Sequence, residues 1–198
     1  MENEIHSNVV IDEHVFIGKN NIILPNTIIL GPTVIGDNNI IGPNVFIGSP
    51  GSDTKNPRYD YSESLVEIGN NNIIREFTTV QKPCYRQLTK IGSNAMIMPS
   101  VVIPHDAILY DDVVLAPMTC IAGVSILMTG VSIGVGVSIH QYSVIGHYSF
   151  IAMGSILVKN VKPFTIFVSN RKPAVNEYAL KKTPDRTLIK VISQFPIG

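Results

Sequence analysis

The chain has 198 residues, enough for one substantial domain, and its 45% hydrophobic and 15% charged content requires that much of it be buried. Fifteen basic residues balance fifteen acidic ones, which argues against a nucleic-acid surface and against a polybasic membrane patch. No apolar run approaches the roughly 18 residues of a membrane span, MENEIHSNVV lacks the features of a secretory leader, and Cys84 and Cys120 lack metal-ligand spacing and read as reduced thiols, so the cytoplasm is the expected compartment.

From Ile5 the chain repeats every six residues. Ile5, Ile11, Ile17, Ile23, Ile29, Ile35, Ile41 and Ile47 are all isoleucine. The register breaks, resumes at Ile68, Ile74 and Val80, and breaks again. It then runs from Ile91 through Ile97, Ile103, Leu109, Leu115, Ile121, Leu127, Ile133, Ile139, Ile145 and Ile151 to Leu157. A period of six is not helical, and it is more selective than the strand period of two. It marks a parallel β-helix solenoid in which three short faces close a triangular coil and the repeated aliphatic points inward. The hexads make nearly eight coils, stacked at about 4.8 Å. Glycines after core positions (Gly18, Gly36, Gly69, Gly92) and asparagines near corners (Asn38, Asn71) suit the positive φ of tight corners. Val113, Val131 and Val137 are expected on the flat outer walls, where surplus apolar groups favour lateral association closed by cyclic symmetry. Cys120, next to a core position, is expected to serve packing.

Two segments interrupt the repeat, residues 49–67 and 81–90, both rich in Pro, Tyr and charge. A solenoid expels such segments as loops, and these commonly form the binding surface. The repeat stops at Pro163. Residues 1–162 are therefore expected as the solenoid and 163–198 as a separate tail, with a short helix at NEYALKK and another helix-capable run after Pro184.

One polar pair interrupts the apolar pattern. In IPHDAIL, Ile103 points inward, so Pro104 is expected outward and His105 inward or at a corner. A buried His–Asp pair costs free energy unless it is hydrogen-bonded. Taken alone, it fits a structural histidine bonded between coils as well as a catalytic one.

The repeat resembles the left-handed β-helix acyltransferases, and within them the UDP-N-acetylglucosamine acyltransferases of lipid A synthesis, over roughly residues 5–183. The likeness rests on IGSPGSDTK, VEIGNNNIIRE, IPHDAIL, IAG before Val124, IHQYSVIG and NRKPAVNEYALKK. It implies an all-β, left-handed parallel β-helix with two protruding loops and a short C-terminal helical segment. It further implies that His105 is the general base, Asp106 its orienter, and the Gly123 amide the oxyanion donor. Asp53 and Lys55 would meet a nucleotide sugar, His140 and Gln141 the donor arm, and Asn176 and Lys182 the uridine phosphates. Met153, where the family often has glycine, would shorten the acyl pocket. The chain departs from the family at Val102 and Val124, where histidines are usual, and at Tyr178, where a carboxylate is usual. The family also carries a longer helical C-terminal domain.

Acyl transfer from a thioester needs a base, an oxyanion donor and alignment. Histidine titrates near neutrality and suits the first role. The resemblance implies a cytoplasmic homotrimer with sites between subunits, no permanently bound cofactor and no metal. The donor would be acyl carrier protein or coenzyme A thioester, and the acceptor a nucleotide-linked sugar. Two other readings stay open: an acetyl-CoA-dependent N-acetyltransferase of a nucleotide-linked amino sugar, and a non-catalytic solenoid that binds a nucleotide sugar.

Overall fold

The computed structural model describes residues 2–53, 64–183 and 190. Its short strands stack into three sheets, one for each face of a triangular coil, with ten, eight and seven strands. A single coil visits all three: Val114–Leu115 in the first sheet, Cys120–Ile121 in the second, Ile126–Leu127 in the third. One turn later Val114 lies beside Ser132, Cys120 beside Ser138 and Ile126 beside Val144, all in parallel register. Residues 18 apart therefore occupy the same place on successive rungs. Across the first interruption this spacing lengthens to 33, and across the second to 23, while the columns stay aligned. The stack resumes beyond both insertions, with one register shift beside them, where Val80 faces Ile47 but Gln81 faces Ser49.

The repeated aliphatics fill the prism. Ile23, Ile29, Ile35, Ile41 and Ile47 are fully buried, as are Ile91, Ile97, Ile103, Leu109 and Leu115. Burying each stabilises the fold by about 1.5–3 kcal/mol before chain entropy is counted. Ile5 is 50% exposed, because its coil is the end of the stack. Val113, Val131 and Val137 are also fully buried, not on the walls. Each stands two residues before an inward aliphatic, and strand alternation returns it to the inner side. The apolar wall groups are Phe16, Val34, Ile40, Met118, Phe150 and Ile156, all exposed. Cys120 is exposed beside them instead of packing inside.

A polar column runs through the first half of the core. Asn21, Asn39 and Asn72 are fully buried. The Asn21 side-chain oxygen accepts from the Asn39 amide and side chain (2.8 and 2.9 Å). The Asn39 oxygen accepts from the Asn72 amide (2.9 Å), and the Asn72 oxygen from the Ala95 amide (2.7 Å). At Ala95 the column turns apolar and continues through Val113 and Val131. The corner outside this column takes positive φ at Asn38, Asn71 and Asn94, as asparagine permits. The glycines beside it serve a different need from the expected one. A Cβ on Gly36 would lie 2.8 Å from the Gly69 carbonyl oxygen, and one on Gly69 2.7 Å from that of Gly92. These positions demand close approach between coils, not an unusual φ.

The coil passes residue 162. Val161 bridges to Ile145, and Thr165–Phe167 pairs with Phe150–Ile151, so Phe167 caps the core as a buried residue. The chain then reverses, and Ala174–Val175 pairs antiparallel with Thr165–Phe167. The expected helix follows as α1 (Glu177–Lys182), with Asn176 as its N-cap, Glu177 in its first turn and Lys181 and Lys182 in its last. The run after Pro184 lies outside the described residues, apart from Lys190. No helix among the described residues is long and apolar enough to cross a membrane.

Replacing Asn39 by leucine leaves the Asn21 oxygen its bond from the residue-39 backbone amide but strands the buried amide of Asn72. Denaturant unfolding of Asn39→Leu is expected to show a loss of about 1–3 kcal/mol for that unpaired amide. An unchanged midpoint would deny the column its stabilising role.

Candidate active site

The period places the polar pair at one edge of the prism. His105 and Asp106 lie between Val102–Ile103 of the second sheet and Ile108–Leu109 of the third. Both insertions leave the coil at the same edge. One joins Phe46–Ser49 to Leu65–Ile68, and the other joins Thr79–Gln81 to Leu88–Ile91. The pair is therefore the next corner on that edge after the two loops. Asp106 takes the left-handed corner conformation, φ 61°, which short polar residues adopt more readily than most.

His105 is 7% exposed and Asp106 not at all. Pro104, expected outward, is buried as well, because the insertions fold back over this edge. A Cβ on Gly51 of the first loop would lie 3.0 Å from the His105 Cβ. The second loop wraps the carboxylate. Asp106 accepts from the backbone amides of Arg86 (2.6 Å), Cys84 (3.1 Å) and Tyr85 (3.1 Å), and its own amide donates to Thr89 Oγ1 (2.9 Å). The His105 Nδ1 lies 2.8 Å from Asp106 Oδ2. Burial pushes the Asp106 carboxyl up, but its bonds to His105 and to the three amides outweigh burial and hold it below the usual range. Asp106 thus stays ionised and fixes the imidazole, with Nδ1 donating to it and Nε2 on the far side of the ring.

Gly123 sits one rung on, directly over His105. A Cβ there would overlap the imidazole, 2.5 Å from Nε2 and closer still to Cε1, so only glycine fits. The Val124 amide donates to the His105 carbonyl (3.1 Å), and the Tyr142 amide to the Gly123 carbonyl (3.1 Å). Among the described residues nothing accepts from the Gly123 amide. Val124 holds φ 64°, a left-handed conformation that costs a β-branched residue about 1–3 kcal/mol.

The sequence reading missed several members of this site. Gln81 is buried, and its side-chain oxygen accepts from the amides of Ser52 (3.1 Å) and His105 (3.3 Å) while its amide donates to Ser52 Oγ (2.7 Å). Thr89 and the amides of Cys84, Tyr85 and Arg86 were likewise legible only as part of an expelled loop. Tyr85 lies edge-on to His105, 5.8 Å between ring centres, and donates from its hydroxyl to Asp53 Oδ2 (2.6 Å). Asp53 is thereby joined to the His105 edge. Lys55 lies outside the described residues.

The remaining candidates fall on other parts of the prism. His140 and Gln141 share the His105 edge and are exposed, with Gln141 one rung beyond Gly123. Asn176 and Lys182 lie on a different edge, lining a cavity of about 590 Å³ with Ser132, Tyr148, Phe150 and Tyr178. The Asn176 side chain is already committed: its oxygen caps α1 at the Ala179 amide (3.2 Å) and its amide donates to the Tyr148 carbonyl (2.9 Å). Its first role is therefore to hold the tail on the coil. Met153 is 71% exposed at the third edge, between Phe150–Ile151 and Ile156–Leu157. A single chain brings His105, Asp106, Gly123, Asp53 and Gln141 to one edge and leaves Asn176, Lys182 and Met153 off it. His147 is half-buried beside Tyr148, and burial pushes its pKa down. Among the described residues no three His, Cys, Asp or Glu side chains cluster to hold a metal.

Gly123→Ala is expected to displace the imidazole while leaving the coil folded. Far-ultraviolet circular dichroism should match the parent, and any His105-dependent turnover should fall by about 100-fold or more. Retained turnover would mean that the imidazole has another productive position.

The profile described as "Bacterial transferase hexapeptide (six repeats)" matches residues 14–49. An acyl-[acyl-carrier-protein]–UDP-N-acetylglucosamine O-acyltransferase of Nautilia profundicola is 41% identical over 123 residues, 61% of this chain and 48% of the relative. The chain thus spans about half the length of the curated relatives it matches. The UDP-N-acetylglucosamine acyltransferase of Francisella novicida superposes with a TM-score of 0.83 at 26% identity, over 96% of this chain and 77% of that one. The enzyme of Bacteroides fragilis superposes with a TM-score of 0.79 at 28% identity, over 96% and 80%. This chain is a left-handed parallel β-helix of hexapeptide repeats that resembles the UDP-N-acetylglucosamine acyltransferases in both sequence and fold.

Proposed function

We propose that the protein is an acyltransferase that moves an acyl group from a thioester of acyl carrier protein or coenzyme A to a nucleotide-linked sugar, as a step in lipid A or surface-polysaccharide synthesis. The observation that carries this reading is the His105 imidazole, fixed by a buried, amide-held Asp106 and covered by the Gly123 backbone. In the proposed step Nε2 of His105 takes the proton of an acceptor hydroxyl, and the oxygen attacks the thioester carbonyl. The Gly123 N–H donates to the oxyanion that forms. Collapse breaks the carbon–sulfur bond, and the imidazolium returns its proton to the leaving thiolate. No covalent enzyme intermediate is needed. A thioester donor of this kind places the reaction in the cytoplasm.

The scatter of the other candidates over three edges supports a site shared between subunits. A cyclic homotrimer sets one subunit's His105 edge against a neighbour's wall, where Asn176 and Lys182 on α1 and exposed Met153 become available to it. Exposed Phe16, Ile40, Phe150 and Ile156 supply apolar area for that contact. A flat solenoid wall alone is too shallow to enclose a substrate.

The test is free-thiol release from acyl carrier protein and acyl-CoA thioesters of graded length, with UDP- and dTDP-linked sugars as acceptors. His105→Ala is expected to lose about 10²–10⁴-fold in rate with the preferred pair. Release with acetyl-CoA and an amino sugar alone would move the reading to N-acetylation. No His105-dependent release with any pair would leave a binding protein. Light scattering is expected to give three times the chain mass, and a monomeric protein with full turnover would remove the shared site.

A further inference from the structure

Tyr85 touches three members of the candidate site, Asp106, His105 and Asp53. Its amide donates to Asp106, its ring lies edge-on to His105, and its hydroxyl donates to Asp53. The amide contact pins its backbone to the buried carboxylate. The ring itself is 51% exposed, so the side chain swings about its own bonds at little loss of burial. The 2.6 Å separation from Asp53 Oδ2 is the length of a charge-assisted O–H···O⁻ bond. The phenol therefore occupies one of the lone-pair directions through which that carboxylate would grip a ligand.

We propose that Tyr85 sets acceptor affinity: its phenol holds the Asp53 carboxylate in the ligand-free protein and is exchanged for a sugar hydroxyl when the acceptor binds. This rests on the acceptor-binding role proposed for Asp53. The group that replaces the phenol has to be a hydrogen-bond donor, because an anionic group would meet the carboxylate directly. That selects a hydroxyl-bearing sugar ring at this point, with the diphosphate of a nucleotide sugar directed elsewhere. The phenol remains a donor throughout the neutral range. Its bond to Asp53, then burial and the Asp53 charge, push its pKa up to about 12.

The discriminating experiment is calorimetric titration of UDP-N-acetylglucosamine into the parent protein, Tyr85→Phe and Asp53→Asn, with thiol release measured on the same preparations. Tyr85→Phe keeps the ring and removes the competing donor. It is expected to bind the sugar nucleotide about 3- to 10-fold more tightly, with acceptor KM falling in step and thioester KM unchanged. Asp53→Asn is expected to bind more weakly than the parent. Equal or weaker binding by Tyr85→Phe, with His105-dependent release intact, overturns the proposal and leaves the acyl-transfer reading standing. Tighter binding without turnover in any of the proteins upholds the exchange and removes the acyl-transfer reading. No binding by the parent or by Tyr85→Phe overturns the proposal, and thiol release on the same preparations then decides the acyl-transfer reading on its own.

Discussion

Every coil must satisfy the backbone groups of the coil beside it, and that single requirement organises the molecule. Parallel bonds between rungs tie each residue to the one 18 positions on. A side chain chosen at one rung is therefore stacked on its counterparts above and below. The inward column has to be aliphatic, the tight-approach column glycine, and the corner column tolerant of positive φ. Length is free to vary only where the chain leaves the stack between rungs. Both large insertions do so at one edge, which is why loops distant in sequence converge on His105.

The same stacking resolves the energetics of the polar pair. A fully buried carboxylate is costly unless several donors meet it. Asp106 obtains one from its neighbour His105 and three from the loop at 84–86. The loop in turn depends on Asp106, since three of its amides converge on one side chain. Gln81 extends the dependence to Ser52 of the other insertion. The His105–Asp106 pair and the loops form one hydrogen-bonded unit, so the geometry of the imidazole is set by segments that are otherwise outside the coil.

The coil was readable from sequence because period six repeats many times and each repeat imposes the same packing demand. The His105–Asp106 pair stood out as a polar interruption in that repeat, and Gly123 falls 18 residues on, the spacing of one rung. What surrounds them was hidden. The contacts of Gln81, Tyr85 and Thr89 depend on how two irregular loops fold against the edge, and no period governs an irregular loop. Val113, Val131 and Val137 were misplaced because attention to every sixth residue overlooked the alternation inside each hexad. Asn176 looked like a ligand-binding residue from its flanking motif, yet its local chemistry is that of a helix cap. The position of the tail on another edge follows from where the last rung ends, at Phe167, and not from any motif.

The asparagine column ends at Ala95, on the rung that carries His105. Below that point the coils are cross-linked by buried side-chain amides, and above it the buried hydroxyls of Ser125 and Ser149 bond carbonyls of the next coil instead. A solenoid opens from its ends, because interior rungs have neighbours on both sides. The first coil carries half-exposed Ile5 and Val10 and has no rung beneath it, so it frays first. Fraying there removes nothing that His105 touches and halts against the amide-linked coils. Opening from the far end has to pass through the rungs of Gln141 and Gly123 before it reaches the imidazole. The molecule is thus asymmetric toward proteolysis and amide exchange: loosening at the amino-terminal coils spares the Gly123 corner, and loosening at the other end reaches that corner before it reaches His105.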